Sequence, residues 1–144
     1  MAGKSNTFEN DLLKLIFNAT PIANIADNAA TSPLTSLYVS LHTADPGEAG
    51  TQSTSEATYT SYARVAVART TSGWTAATSG STSPVSAITF PAATGGSSTV
   101  THFAVGTAST GTGKILYAGS VSPSITVTTG ITPQLTTSTT ITED

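Results

Sequence analysis

The chain has no cysteine, few charges, few aromatic side chains and no long apolar run. Without cysteine it can hold no disulfide framework, no thiolate nucleophile and no cysteine zinc site. No stretch of about 18 consecutive apolar residues occurs, so no membrane-spanning helix is expected. Glu9, Asn10 and Asp11 interrupt the region where a secretion signal would carry its apolar core. Five basic and eight acidic residues in 144 give a net charge of −3. That balance excludes a nucleic-acid binder that neutralises phosphates with Lys and Arg.

What the chain has instead is hydroxyl. Thr occurs 30 times and Ser 19 times. Thr, Val and Ile are stiff at χ1 and suit a pleated sheet better than a helix. Leu, Ile, Val and Phe together number 28, which predicts a thin core for one domain of this length, supplemented by burial against another chain. Charge is segregated: residues 57–142 hold only Arg64, Arg69 and Lys114. A free soluble surface usually mixes both signs densely. Either Thr and Ser keep this stretch soluble, or much of it is covered in an assembly.

The local patterns predict one helix followed by strands. Asn6 can N-cap with Glu9 as its capping-box partner, and Phe8, Leu12, Leu15 and Ile16 follow at helical spacing, joined by Leu13 and Phe17, on an apolar face wide enough to need burial on the chain's own sheet or on a partner. Pro21 limits the helix. Residues 22–28 could add a helical turn. From Leu37 the period becomes two, with Leu37, Val39 and Leu41 alternating against Tyr38, Ser40 and His42. Ala44–Gly47 reads as a turn and 48–58 as a mobile polar loop. Further strands are expected over 62–68, 85–90, 100–105, 114–118 and 124–128, with a weak one near 135–142. Even spacing with Gly, Pro and Ser turns predicts an all-β, jelly-roll-like β-sandwich with a short N-terminal helix. The expected organisation is an N-terminal helical segment and arm over 1–36 and the sandwich over 37–144, one compact domain overall.

Chemistry-bearing motifs are sparse. His42 and His102 fall inside strands, and no Gly-x-Ser-x-Gly elbow offers a nucleophile. His42, Asp45 and Glu48 step by three like ligands on a helix, but Pro46 and Gly47 make that segment a turn. Gly111-Thr112-Gly113-Lys114 lacks the spacing and hydroxyl of a phosphate loop. No catalytic residue, metal site or cofactor is therefore expected. Tyr59, Tyr62, Arg64, Arg69 and Trp74 are the residue types enriched at interface hot spots and on carbohydrate-binding faces. Trp74 could equally fill a poor core. With Phe8, Leu12 and Ile16 of the helix, they form the candidate interface set.

Leu37–Glu48, Tyr62-Ala63-Arg64, Ile88–Gly95 and Val100–Phe103 together resemble small tailed-bacteriophage virion proteins, over roughly residues 35–120. Similar proteins include the capsid cement, or decoration, proteins of Bordetella-type podophages. The resemblance implies a jelly-roll-like sandwich with no family active site. It implies a capsid cement protein, not an enzyme, made in the bacterial cytoplasm and bound to the capsid exterior. Its expected partners are the major capsid protein and itself, as dimer or trimer, with no nucleic acid or membrane. The alternatives are a tail or tail-fibre component, or a host-receptor or carbohydrate-binding module.

Overall fold

A computed structural model describes residues 5–22 and 33–143. It is mostly β-sheet with one short N-terminal helix. The chain divides into two compact units. The first joins Met1–Ser36, Val67–Ala87 and Thr136–Asp144, and the second joins Leu37–Ala66 and Ile88–Leu135. One crossing point between the units falls between Ser36 and Leu37. Two later segments return to the first unit, where 81–82 and 141–142 pair with each other.

The first unit carries helix α1 (Asn6–Phe17). Its cap is Ser5, not Asn6: Ser5 is extended and its hydroxyl accepts the Phe8 N–H at 3.4 Å. Starting one residue early moves Glu9 out of the capping-box position, though it stays in the acidic first turn. At the other end, the Asn18 and Thr20 N–H groups both donate to the Lys14 carbonyl, while Ala19 turns to φ 52°. Leu13 and Phe17 are the fully buried helix residues. Each contributes about 1.5–3 kcal/mol by leaving water. Phe17 meets Trp74 edge to face at 4.7 Å between centroids.

Around that aromatic pair the unit's small core adds Ile22, Ala77 and Ile141. A tight hairpin at Ser79-Gly80, both residues at positive φ, joins Thr78 to Ser81 by reciprocal backbone hydrogen bonds. It leads into β3 (Ser81–Thr82), which pairs antiparallel with β8 (Ile141–Thr142). The candidate helical turn over 22–28 lies outside the described residues, apart from Ile22.

The second unit is sandwich-like. One layer is a sheet in the order β2-β1-β5-β6, and a two-stranded ribbon pairs β4 with β7. The strands are β1 (Ser36–His42), β2 (Val65–Ala68), β4 (Ile88–Thr89), β5 (Ser98–Gly106), β6 (Ile115–Val127) and β7 (Gln134–Leu135). Leu37, Val39, Leu41, Val100, Phe103 and Val105 bury one part of the core; Ile88, Phe90 and Leu135 bury another. Tyr62 links the layers, its ring stacked on Phe90 at 6.4 Å and its hydroxyl accepting the Leu41 N–H at 3.0 Å.

Three sequence expectations are corrected here. The face of β1 opposite Leu37, Val39 and Leu41 is not a solvent face, because Ser40 and His42 are fully buried. The strands expected at 114–118 and 124–128 are one strand, β6, paired with β5 on both sides of a bulge between Ser120 and Ile125. Val121 to Ser124, including Pro123, are absorbed by that bulge. The threonine-rich C-terminal strand is two short pieces, β7 and β8, which pair in different units.

Candidate functional site

Of the polar residues that sequence singled out as chemistry, His42 is enclosed, His102 is half-buried, and Asp45, Glu48 and Lys114 are exposed. His42 sits between Ser40 and the chain at 54: Ser40 Oγ lies 2.9 Å from Nε2, and Nδ1 donates to the Thr54 carbonyl at 2.8 Å. The carbonyl can only accept, so Nδ1 bears the proton and Nε2 accepts the Ser40 hydroxyl. This is the geometry of a nucleophile and base. Both side chains are fully buried, however, and no carboxylate bonds the ring to orient it for base catalysis. The pair can satisfy buried polar groups but presents no atom to a substrate. Burial holds the imidazole below its ordinary pKa of 6.5; the Thr54 carbonyl and Glu56 oppose the shift, while Arg64 and His102 reinforce it.

Beside it runs a second chain of bonds. Arg64 grips Glu56 in bidentate fashion, Nε to Oε1 at 2.7 Å and Nη2 to Oε2 at 2.8 Å. Its side chain is only 3% exposed. Tyr62 donates its hydroxyl to Glu56 Oε1 at 2.9 Å. Two further guanidinium protons go to the carbonyls of Ala108 at 2.9 Å and Gly111 at 2.7 Å. Glu56 raises the Arg64 pKa, and burial pushes the Tyr62 hydroxyl far above its usual range. Both shifts favour a charged Arg64 and a neutral Tyr62.

Gln52 completes the arrangement. It is fully buried, donates to the Tyr38 carbonyl at 3.0 Å and accepts the Ala108 N–H at 3.0 Å. Gly106 and Gly113 leave room for it, since a Cβ at either would collide with the Gln52 amide. The expected mobile loop over 48–58 is thus a pinned segment, because Gln52, Glu56 and Ala57 all face inward. The Gly111–Lys114 segment is a turn leading into β6, its Gly111 carbonyl held by both Arg64 and Ser53.

In the first unit, Arg69 has an equivalent structural role. Its three nitrogens donate to the carbonyls of Ile16, Leu15 and Leu34 at 2.6, 2.7 and 2.6 Å. Two of these are carbonyls at the end of α1 that the helix itself leaves unpaired. The cation also faces the negative end of the helix dipole. Burial lowers the Arg69 pKa from its ordinary value.

The eight interface candidates therefore separate. Trp74 and Tyr59 are buried, at 1% and 2% exposure, Tyr62 is half-buried with its hydroxyl spent, and Arg64 and Arg69 bind their own chain. The structure divides Tyr59, Tyr62 and Arg64 from Trp74 and Arg69, which belong to different units. A shallow aromatic patch, on which the carbohydrate-binding alternative rested, is not available from these side chains. The Trp74 indole N–H has no acceptor among the described residues, so the residue serves by its bulk. Phe8 is 37% exposed, and Leu12 and Ile16 are half-buried on the helix stripe beside that of Leu13 and Phe17. These three keep surface to offer.

Sequence reasoning missed Gln52 and Glu56. The signal was present in the Gly106 and Gly113 pair and in Tyr62-Ala63-Arg64, but neither names its partner. Among the described residues, no group of three or more His, Asp or Glu could hold a metal ion. No helix among them is long and apolar enough to cross a membrane.

Two comparisons with known proteins bear on this arrangement. The model of the family described as podophage GP4 fiber I protein gp80 matches residues 3–142. No curated protein matches the chain.

Proposed function

Since the chain belongs to the podophage GP4 fiber I protein gp80 family and is a phage virion structural protein, we propose that it is a component of the virion's fibre apparatus. The match over residues 3–142 carries this reading, because it takes in both compact units and not a single shared module. The same observation favours a fibre component over the capsid cement role expected from the sequence resemblance. The family's description names a fibre and lends no support to a place on the head.

In this reading the protein acts by binding and catalyses nothing. Its Ser, His, Arg and Glu side chains in reach of one another are consumed inside the fold, where they hold loops in place. Its partners are other copies of itself and neighbouring virion proteins, with no nucleic acid and no membrane. A subunit that binds only the assembled structure stabilises it by its own binding free energy. Many copies at symmetric positions multiply that effect.

The test is fractionation of purified virions into heads and tails, followed by immunoblotting and immunogold labelling. The fibre reading expects the chain in the tail fraction, with label beside the tail. Recovery only with DNA-filled heads would overturn it and return the cement role.

A further inference from the structure

We propose that the core of the first unit holds one buried water molecule, which accepts the Trp74 indole N–H and donates to the side-chain oxygen of Asn18. It pins the end of α1 to Trp74 wherever the virion places the protein.

The donor comes from Trp74. Its backbone is already spent: the N–H donates to the Thr70 carbonyl at 3.0 Å, and the carbonyl accepts Asn18 Nδ2 at 3.4 Å. Beyond its bulk, the residue keeps one hydrogen bond to give. It is 1% exposed, and indole Nε1 is buried with no acceptor among the described residues. A buried indole N–H normally has a partner, because taking it from water without a replacement is costly.

The acceptor comes from Asn18, the C-cap of α1. Its backbone N–H closes on the Lys14 carbonyl at 2.9 Å, and its amide nitrogen turns to the Trp74 carbonyl. The oxygen of the same amide, Oδ1, is buried and accepts nothing from the described residues. Turning the amide over would set Oδ1 against the Trp74 carbonyl, acceptor on acceptor, so the orientation is fixed. An unspent donor and an unspent acceptor therefore sit on two residues of one unit that already touch.

The chemistry of this pair selects its ligand. An anion would bond the indole N–H but be repelled by Oδ1, and a cation would do the reverse. An apolar group leaves both atoms unpaired. A small neutral molecule that accepts on one side and donates on the other satisfies both, and water is the smallest. Folded proteins hold about one buried water per 27 residues, typically bridging polar groups that would otherwise go unsatisfied. Arg69 already binds the Leu15 and Ile16 carbonyls, so the water gives the last turn of α1 a second polar anchor.

Trp74 is the one tryptophan in the chain, so its indole proton gives a single NMR resonance. Water-selective NOE and ROE spectra of the full chain test the site, the sign of the ROE separating a held water from hydrogen exchange. The native chain should show cross-relaxation between the indole proton and a long-lived water. Asn18→Leu removes the water's acceptor and occupies its space, so the signal should be lost. A native chain without such a water would overturn the proposal, whether the indole then bonds Asn18 directly or stays unpartnered. So would an Asn18→Leu chain that keeps the signal at native strength. Should that variant not fold, a high-resolution crystal structure of the native chain decides. A water within hydrogen-bond distance of both Nε1 and Oδ1 supports the site; a water on one of them or on neither overturns it.

Discussion

Replacing Arg64 by Leu keeps most of the side-chain volume and removes every donor. The structure specifies what is then left behind. The Glu56 carboxylate retains the Tyr62 hydroxyl but loses its bidentate cation, and the Ala108 and Gly111 carbonyls lose their charged donors. Removing one partner of a buried ion pair costs about 3–5 kcal/mol, mostly as the penalty of the uncompensated charge. For a chain of this size that is a large part of a total stability of about 5–15 kcal/mol. It corresponds to a fall of roughly 10–20 °C in melting temperature.

Removing the carboxylate as well separates the charge effect from the lost donors. The double variant Arg64→Leu/Glu56→Leu leaves no orphan anion, so it should be more stable than Arg64→Leu by about 1–2 kcal/mol. Urea unfolding followed by tryptophan fluorescence and far-UV circular dichroism reads both units, since Trp74 belongs to the first. An Arg64→Leu loss within about 0.5 kcal/mol of native, the scale of an ordinary surface change, would refute the reasoning. So would a double variant no more stable than the single.

Two further outcomes are expected. Arg69→Lys keeps the charge but cannot span three carbonyls with a planar fork, so α1 should fray from its C-terminal end. Hydrogen exchange should then quicken at Leu15–Asn18 and stay native in β1 and β5; a uniform change would count against the cap. His42 provides a pH dependence. Its folded pKa lies below 6.5, so the unfolded chain binds the extra proton first. Its contribution is whole above pH about 6.5 and is lost as pH falls through the folded value, by at most about 1.4 kcal/mol per pH unit. On protonation the Ser40 hydroxyl would turn from Nε2 to the Ala104 carbonyl, now 3.4 Å away. The stability gap between native and His42→Asn proteins should narrow from pH 7 to pH 5; a constant or widening gap refutes the assignment.

The local elements were legible because their signals are local. Alternation at Leu37–His42 predicted β1, the Asp45-Pro46-Gly47 turn forms with Asp45 Oδ1 accepting the Gly47 N–H at 2.9 Å, and the helix lies where its spacing put it. The wide apolar face of the helix did not reveal which of its stripes would be buried. Leu12 and Ile16 fit the apolar period as well as Leu13 and Phe17 do, and only tertiary packing, with Phe17 against Trp74, selects the latter. The same ambiguity attached to Trp74 and Tyr59, whose residue type suits an interface and a core alike.

By itself the sequence determined the β class, the N-terminal helix, most of the turns and the scarcity of charge. Those follow from backbone preference and from periodicities of a few residues. Tertiary structure alone decided where each polar side chain finds its partner. Arg69 reaches a carbonyl 53 positions away and Gln52 an N–H 56 positions away. Nothing in either local sequence encodes that distance, because a buried donor must be satisfied but any acceptor the fold brings near will do. The few charges that seemed to await another chain were in large part already committed within this one.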